Sequence, residues 1–369
     1  MRKSIQSVFV GVLLALAGCI SPYPYEAFTP RVSPALGEMR PAHAAVQLYY
    51  ATSRRRTESR NPELMFGIER SPRTALGRAE VSIPAAHGRG RLEERHAIAP
   101  RNPDRFVLLT RLDGPTDTSS AFWADLRQSL NQSARREVFV FVHGFYVTFD
   151  DAARRTAQIA HDIEFDGPAI VYSWPSQGWL LGYLADSTNV EWAEPHLSQF
   201  LSQLASQSRA DHVHILAHSM GARLLSRAVR ELVRDGGAAD GPVFDQIVLA
   251  AADVDAEIFE RDYAPPLSKA ARRVTLYVSK NDWALGGSEK IHGYVRLGRE
   301  FPDEASRTYA DIFDVVDVTD VDRGIVGHFY YGASSDVLND LRGIFAGKPP
   351  HDRGLSPDNG HFHLGESNE

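Results

Sequence analysis

A single cysteine occurs among the 369 residues, so a disulfide within one molecule is excluded. No apolar run approaches the roughly 20 residues that a bilayer-spanning helix needs. The 40 lysines and arginines are fewer than the 47 aspartates and glutamates, and a net charge of −7 without a basic stripe argues against a nucleic-acid partner. With 43% hydrophobic and 24% charged residues, the chain has the composition of a globular protein with one large domain, alone or with a smaller attachment.

The N-terminus has the parts of a secretory signal. Residues 1–3 are positive, and residues 8–17 are apolar but too few to span a bilayer. The only cysteine, Cys19, directly follows two small residues, which resembles the lipobox of bacterial lipoproteins; an ordinary cleaved signal with an incidental cysteine is the alternative. The resemblance implies a signal peptide at 1–18 and acyl chains on Cys19. Because Ile20 rather than aspartate follows, it also implies the outer membrane, with the domain in the periplasm.

Composition divides the rest of the chain into three parts. Residues 19–45 are rich in proline and have no apolar period, which is typical of a tether. Residues 46–346 carry the strand and helix patterns of one domain, and residues 347–369 turn polar, which predicts a disordered tail. The N-terminal part of the domain, 46–115, predicts strands at 46–51, 78–84 and 106–110, and a helix follows at 119–133.

Residues 137–346 alternate between short, continuously apolar runs and amphipathic helical patterns, and they form the predicted catalytic core. Strands that are buried on both faces and alternate with helices form mostly parallel sheets with helices on both sides. The sequence therefore predicts an α/β fold with a mostly parallel central sheet. The predicted strands are 138–142, 169–172, 213–217, 247–251, 274–278 and 311–318, and the predicted helices are 150–163, 191–206, 221–234, 256–263 and 335–345.

One strand leads directly into the turn Ala217-His218-Ser219-Met220-Gly221, after which a helix begins. A serine on such a sharp turn stands above the sheet edge, and the helix N-terminus behind it offers free N–H groups to a developing oxyanion. Small neighbours let the turn close, and alanine stands here where the G-x-S-x-G pattern has its first glycine. Ser219 is therefore the predicted nucleophile, and a plain helix N-cap is the alternative.

A serine nucleophile needs a histidine base and an acid that orients it, and after such a turn the acid precedes the histidine in the chain. Asp282 follows the strand 274–278, at the edge where ligands collect in open α/β sheets. His328 lies between the last predicted strand and the last helix, so we predict His328 as the base and Asp282 as the acid. Asp253 is the alternative acid, although Asp253 and Asp255 also suit helix capping. The other downstream histidines are His292, His351, His361 and His363.

Several short motifs match those of a known family. They are Tyr50-Ala51-Thr52-Ser53-Arg54, His143-Gly144-Phe145, Ser173-Trp174-Pro175-Ser176, Ala217-His218-Ser219-Met220-Gly221, Asp253-Val254-Asp255, Asn281-Asp282 and Gly327-His328. Between about residues 46 and 345 the chain resembles a bacterial, esterase/lipase-like branch of the α/β-hydrolase superfamily whose function is unknown. The resemblance implies the α/β-hydrolase fold and a triad of Ser219, Asp282 and His328, but it implies no particular substrate.

The same resemblance implies where an oxyanion would bind. In α/β-hydrolases a His-Gly pair after an early strand marks the loop whose backbone N–H faces the substrate carbonyl, although such a pair is also common in ordinary turns. The glycine lets the backbone approach closely. The implied donors are the N–H groups of Phe145, or of Tyr146, together with that of Met220, and the supporting residues are His143, Gly144 and Gly221.

Three further groups of residues offer only weak functional signals. His212, His214 and His218 lack a suitably spaced further ligand, so no metal site is predicted. The aromatic residues of segment 174–192 line an acyl pocket, form a lid or belong to the core. Arg54-Arg55-Arg56 predicts a solvated turn, with contact to acidic lipid headgroups as the lesser alternative.

The predicted function is hydrolysis of carboxylic esters through an acyl-enzyme on Ser219, with a small-molecule or lipid ester as substrate and without a cofactor. A serine peptidase or acyltransferase would use the same triad. A different class of protein, a non-catalytic envelope lipoprotein, would use the fold as a binding module. The complete set of serine, aspartate and histidine favours the enzyme.

Overall fold

A computed structural model of the protein describes residues 42–96, 98–116, 119–179, 182–301, 309, 311–322, 327–358 and 360–365. The predicted signal peptide, the lipid site Cys19 and most of the predicted tether lie outside the described residues. Within the described ranges, none of the helices combines the length and the apolar character needed to cross a membrane.

The centre of the molecule is a sheet whose described part has 11 strands, in the order β10-β11-β9-β8-β7-β6-β4-β5-β1-β2-β3. From β11 to β1 in this order each strand is parallel to the next, and the antiparallel pairs β10–β11, β1–β2 and β2–β3 stand at the two edges. The bounds are β1 (His43–Arg56), β2 (Phe66–Pro84), β3 (Leu108–Leu112), β4 (Glu137–Val142), β5 (Ala169–Ser173), β6 (His212–His218), β7 (Phe244–Ala250), β8 (Ala271–Val278), β9 (Phe313–Asp317), β10 (Ser356–Asp358) and β11 (His361–His363).

Helices cover both faces of this sheet. They are α1 (Ser119–Leu130), α2 (Phe149–Asp162), α3 (Tyr183–Gln207), α4 (Met220–Arg234), α5 (Ala256–Ile258), α6 (Ala264–Ala270), α7 (Trp283–His292), α8 (Tyr330–Ala333) and α9 (Ser335–Phe345), with a π-helical turn at Phe259–Tyr263 and 3₁₀ turns at Pro62–Leu64 and Pro350–Arg353. One core packs α1, α3, α4 and α6 on one face, and the other packs α2 and α9 on the opposite face. In β4 the valines point into the first core and the phenylalanines into the second, which explains the continuous apolar run. The α/β-hydrolase fold, with a mostly parallel sheet flanked by helices, is therefore the fold that the sequence predicted.

Two elements are longer than their patterns indicated. β1 and β2 have 14 and 19 residues, because they continue to pair beyond the predicted bounds. There β1 buries the polar residues Thr52, Ser53 and Arg54, and residues 68–75 of β2 are exposed or half-buried, so neither stretch shows an apolar alternation. α3 begins at Tyr183 rather than at 191, since its first turns bury the polar side chains of Asp186 and Asn189. By contrast, α9 spans the predicted residues 335–345.

The prediction of a disordered tail from 347 to 369 is wrong for the described residues. β11 adds to the sheet beside β9, and β10 pairs with β11. Arg353 is buried in ion pairs with Asp314 at 3.2 Å and Asp340 at 2.9 Å. Removing one member of such a buried pair typically costs about 3–5 kcal/mol of stability. Backbone pairing, one buried guanidinium and the buried side chains of Leu355 and Leu364 hold this segment. Two isolated leucines do not produce a periodic hydrophobic pattern in the sequence.

Candidate active site

Ser219 stands on a strained turn between β6 and α4. Its backbone has φ 53° and ψ −121°, a conformation that non-glycine residues rarely adopt. The turn closes because Gly221 lacks a side chain, since a Cβ there would lie 2.3 Å from the carbonyl oxygen of His143. Although Ser219 occupies the N-cap position of α4, its side chain makes no capping hydrogen bond, so the hydroxyl is left for another role.

Backbone bonds fix this turn at the end of the sheet. The Ser219 N–H donates to the Ala250 carbonyl at 3.0 Å, and the Asp253 N–H donates to the Ser219 carbonyl at 3.2 Å. Met220 is the first residue of α4, where backbone N–H groups have no partner within the helix. The positive end of the helix dipole and the N–H groups of its first turn therefore lie next to Ser219.

Asp282 and His328 meet on the same side of the sheet. Asp282 follows β8 and caps α7, with its Oδ1 accepting from the Leu285 N–H at 2.9 Å. Its Oδ2 lies 2.8 Å from Nδ1 of His328, and both side chains are buried. Gly327 has φ +66°, and a Cβ there would lie 2.3 Å from the Asn281 carbonyl oxygen, so only glycine lets the His328 loop approach the Asp282 loop this closely.

The two partners control each other's protonation. Burial disfavours the charged imidazolium, but the charge and hydrogen bond of Asp282 outweigh burial and raise the pKa of His328 above its ordinary value. Burial raises the pKa of Asp282 above its ordinary value, and His328 opposes part of that rise. Such a pair holds the imidazole with its Nδ1 toward the acid, which leaves Nε2 for a second proton-transfer partner.

Asp253, the alternative acid, is engaged elsewhere. It accepts hydrogen bonds from the Tyr183 hydroxyl at 2.8 Å, from Ser288 at 2.6 Å and from Arg223 at 3.0 Å, and Arg296 lies 3.4 Å away. Although burial acts in the opposite direction, these guanidinium groups hold the pKa of Asp253 at about 2. The structure thus brings Asp282, not Asp253, to His328, and Asp255 is the N-cap of α5.

The other histidines that the sequence offers as a base or as metal ligands make different contacts. The imidazole of His292 bonds to Ser288 within its own helix. His361 and His363 belong to β11, and His351 lies in the preceding 3₁₀ turn. His212 and His214 stack along β6 and contact Asp245 and Glu137. In the described part of the chain, no three histidine, cysteine, aspartate or glutamate side chains are grouped to hold a metal ion.

The loop after β4 lies against the Ser219 turn. A Cβ on Gly144 would lie 2.7 Å from Nδ1 of His218 and 2.9 Å from Cβ of Ser219, so a larger residue would separate the two turns. His143 is buried, stacks on Trp174 and contacts the Ser173 hydroxyl at 3.1 Å. Burial lowers the pKa of His143 to about 3, so the ring is neutral and packs below the loop as an uncharged side chain.

A cavity of about 330 Å³ opens at this point. Ser219 and His328 line it, and so do Phe145, Tyr146 and Tyr183, whereas Asp282 stands behind His328. Within segment 174–192, Trp174 is fully buried, Trp192 is half-buried, and Trp179 is 50% exposed. The cavity therefore has an aromatic wall beside the serine, and Trp174 belongs to the core.

Comparison with known proteins gives the family of the chain. The model of a family described as an α/β hydrolase of unknown function, DUF900, matches residues 118–344. This chain belongs to that family. An uncharacterized protein of Nostoc sp. is 32% identical over 62 residues, which make up 17% of this chain and 16% of that protein. The family's matched region contains Ser219, Asp282 and His328, whereas the long β1–β2 ribbon lies before it.

Arg54 lies outside the family's matched region, and its role was missed from the sequence. The prediction of a solvated turn is wrong for Arg54, which is 1% exposed, although Arg55 and Arg56 are exposed. Its guanidinium donates to the carbonyls of Val147 at 2.7 Å, Ser176 at 3.0 Å and Gly67 at 3.1 Å, and to the Ser173 hydroxyl at 2.8 Å. Burial lowers the pKa of Arg54 to about 10, so the group stays charged at neutral pH.

The consequence is that Arg54 holds the loop after β4 in place. Val147 is bound at both backbone groups, because its N–H also donates to the Ser176 hydroxyl at 3.3 Å. That hydroxyl in turn donates to Asp186 at 2.6 Å. The loop that carries Phe145 and Tyr146 is therefore fixed by a network rooted in β1 and α3.

His218 is a second residue whose role at the site has no signal in the sequence. Its Nε2 lies 2.9 Å from the His328 carbonyl oxygen, and its ring stacks on Tyr331. Burial lowers the pKa of His218 well below its ordinary value, so its neutral ring can donate to that carbonyl. The turn next to the serine thus also supports the backbone of the predicted base.

Replacing Arg54 with methionine should loosen the loop after β4 and lower the free energy of unfolding by about 3 kcal/mol, since several buried carbonyls lose a charged donor. Hydrogen exchange followed by mass spectrometry should show faster exchange in peptides covering 144–148. The exposed neighbour gives the control, because Arg55→Met should change neither quantity measurably. Equal protection of 144–148 in Arg54→Met and wild type would contradict this role.

Proposed function

We propose that the protein hydrolyses carboxylic esters through an acyl-enzyme on Ser219. The observation that carries this proposal is the buried hydrogen bond between Asp282 and His328, in which the histidine also lines the cavity that Ser219 lines. A strained serine without a capping bond and an oriented histidine beside one cavity form the arrangement that acyl transfer requires.

In the proposed reaction, the Ser219 hydroxyl attacks the ester carbonyl while Nε2 of His328 accepts its proton. The oxyanion that forms receives hydrogen bonds from the N–H groups of Met220 and of Phe145 or Tyr146. Collapse of the tetrahedral intermediate breaks the ester C–O bond, and His328 returns the proton to the leaving alcohol. Water then attacks the acyl-enzyme with the same base, which releases the carboxylic acid and regenerates Ser219.

The cavity supports an ester of modest size as the substrate. Its volume of about 330 Å³ lies at the small end of ligand pockets, and aromatic rings line it beside the serine. These walls suit an apolar acyl or alcohol group next to the scissile bond. The substrate class that we propose is therefore a small-molecule or lipid ester.

A fluorophosphonate probe tests for an activated serine directly. The full-length protein should be labelled, and Ser219→Ala and His328→Ala should abolish labelling and lower ester turnover on the order of a million-fold. Ser226→Ala is the matched control, because this buried serine on α4 bonds only to the Ala222 carbonyl and should leave labelling unchanged. A folded wild-type protein that neither reacts with the probe nor cleaves short activated esters would refute the proposal and favour a binding module.

The dependence of the reaction on pH tests the pairing of acid and base. His328 must be neutral to accept a proton, and its pKa is raised in the ligand-free protein, so kcat/KM should rise with pH through a midpoint above the ordinary 6.5 or so of histidine. Asp282→Asn removes the charge that raises this pKa, so the midpoint should move to lower pH. The same substitution should lower kcat by about four orders of magnitude, as loss of the orienting acid does in such triads.

Asp282→Asn should preserve the local fold, because asparagine also caps helices well and α7 should keep its first turn. Asp255→Asn is the matched control, since Asp255 caps α5 in the same way and contacts no histidine. Its pH profile should coincide with that of the wild type. An unchanged midpoint in Asp282→Asn would show that another group acts as the acid.

We also infer that the enzyme is anchored to the cell envelope through lipid on Cys19. The sequence supports this location, since the only cysteine directly follows an apolar signal segment. In cell fractionation, the wild type should sediment with outer membranes, and Cys19→Ser should move to the soluble fraction. A wild-type protein that is soluble before any such substitution would contradict the anchor.

A further inference from the structure

One side of the cavity carries a guanidinium group that the proposed reaction does not use. Arg155 on α2 is half-buried and lines the same cavity as Ser219 and His328. Its Nη1 donates to Oε1 of Gln158 at 2.6 Å and to the Gly332 carbonyl at 3.1 Å. These two bonds fix the head group, while Nε and Nη2 have no hydrogen-bond partner among the described residues.

The charge of Arg155 is also not matched by a carboxylate. Among the described residues no aspartate or glutamate lies within 4 Å of it, whereas its neighbour Arg154 forms ion pairs with Asp150 at 2.8 Å and with Asp151 at 2.5 Å. A partly desolvated cation without a counter-ion is costly, and such groups are usually paired or serve to bind an anion.

Among the described residues that line the cavity are three carboxylates, and each has another explanation. Asp151 binds Thr148 and Arg154, and Asp253 is surrounded by Arg223 and Arg296. Glu94 is exposed at the cavity and lies beyond ion-pair distance of Arg155. Within the described part of the cavity, Arg155 is therefore a cation without a carboxylate partner, whereas the carboxylates are either neutralised or solvated.

The position of Arg155 is close to the reacting groups. Phe329 and Tyr331, which follow His328 in the chain, line the cavity together with it. After burial and the charge of His328, the charge of Arg155 is among the influences that lower the pKa of His218, the residue next to Ser219. One small substrate could therefore place its ester group at Ser219 and an anionic group at Arg155.

We propose that Arg155 binds an anionic oxygen group, a carboxylate or a phosphate, on the ester that this site cleaves. The planar guanidinium presents parallel N–H donors that match both anions. The inference rests on the proposed ester hydrolysis and adds its substrate class: the preferred esters carry a negative charge in addition to the scissile bond.

Matched pairs of esters test this preference on the full-length protein in a neutral detergent. The carboxylate pair is mono-p-nitrophenyl adipate and its methyl ester, which differ in the distal charge and one methyl group. Release of p-nitrophenol reports cleavage of the same bond in both. The phosphate pair is a butyryl glycerol phosphate and butyryl glycerol. A hydrogen bond to a charged group contributes about 1.5–3 kcal/mol, so kcat/KM for the anionic member should exceed that of the neutral member by about 10- to 150-fold in at least one pair.

Substitution of Arg155 should abolish this ratio. In Arg155→Met the ratio of the two kcat/KM values should fall to about one or below, and Arg155→Lys, which keeps the charge but loses the planar fork, should retain an intermediate ratio. Arg127→Met is the matched control, because Arg127 is half-buried, donates to the Gln207 carbonyl and does not line the cavity. It should keep the wild-type ratio, and thermal unfolding should show that all variants are folded.

The outcomes separate this inference from the proposed function. If the wild type cleaves both members of each pair equally, or if Arg155→Met keeps the anionic preference, the anion site is refuted while ester hydrolysis stands. If the wild type cleaves none of the esters and does not react with the fluorophosphonate probe, the proposed function itself fails. The carboxylate and phosphate pairs also show which of the two anions Arg155 selects.

Discussion

The turns after β4 and β6 touch because two glycines stand where no larger residue fits. A Cβ on Gly144 would lie 2.9 Å from Cβ of Ser219, and a Cβ on Gly221 would lie 2.3 Å from the His143 carbonyl oxygen. This contact places the loop after β4 against the turn that carries Ser219 and from which α4 begins. The proposed oxyanion donors come from these two loops, so a larger residue at either glycine would separate them and remove the electrostatic part of the proposed reaction.

Buried charges surround this contact, and most of them are neutralised locally. Asp282 pairs with His328, Asp253 lies between two arginines, and the charge of Arg54 is dispersed over backbone carbonyls and a hydroxyl. The attraction and the hydrogen bonds of these partners offset the large desolvation cost of each buried charge. Arg155 departs from this pattern within the described cavity, which is the reason for assigning it to a ligand rather than to the fold.

The sequence predicts best what depends on periodicity or on the ends of parallel strands. Continuous apolar runs identify the central strands, and Ser219, Asp282 and His328 each follow a strand, so they were expected at one sheet edge. Contacts between distant segments leave no such signal. Arg54 looks no different in the sequence from exposed Arg55, and the strands β10 and β11 are held by backbone pairing that a polar composition conceals.

The central claim is that Ser219 becomes acylated during turnover. The most direct test is acid quenching of the full-length protein while it hydrolyses a p-nitrophenyl ester, followed by mass spectrometry of its peptides, because serine nucleophiles accumulate an acyl-enzyme under such conditions. We expect the peptide that contains Ser219 to gain the mass of the acyl group, and Ser219→Ala to gain none. Turnover without acylation, or an acyl group on another residue, would contradict the proposed mechanism.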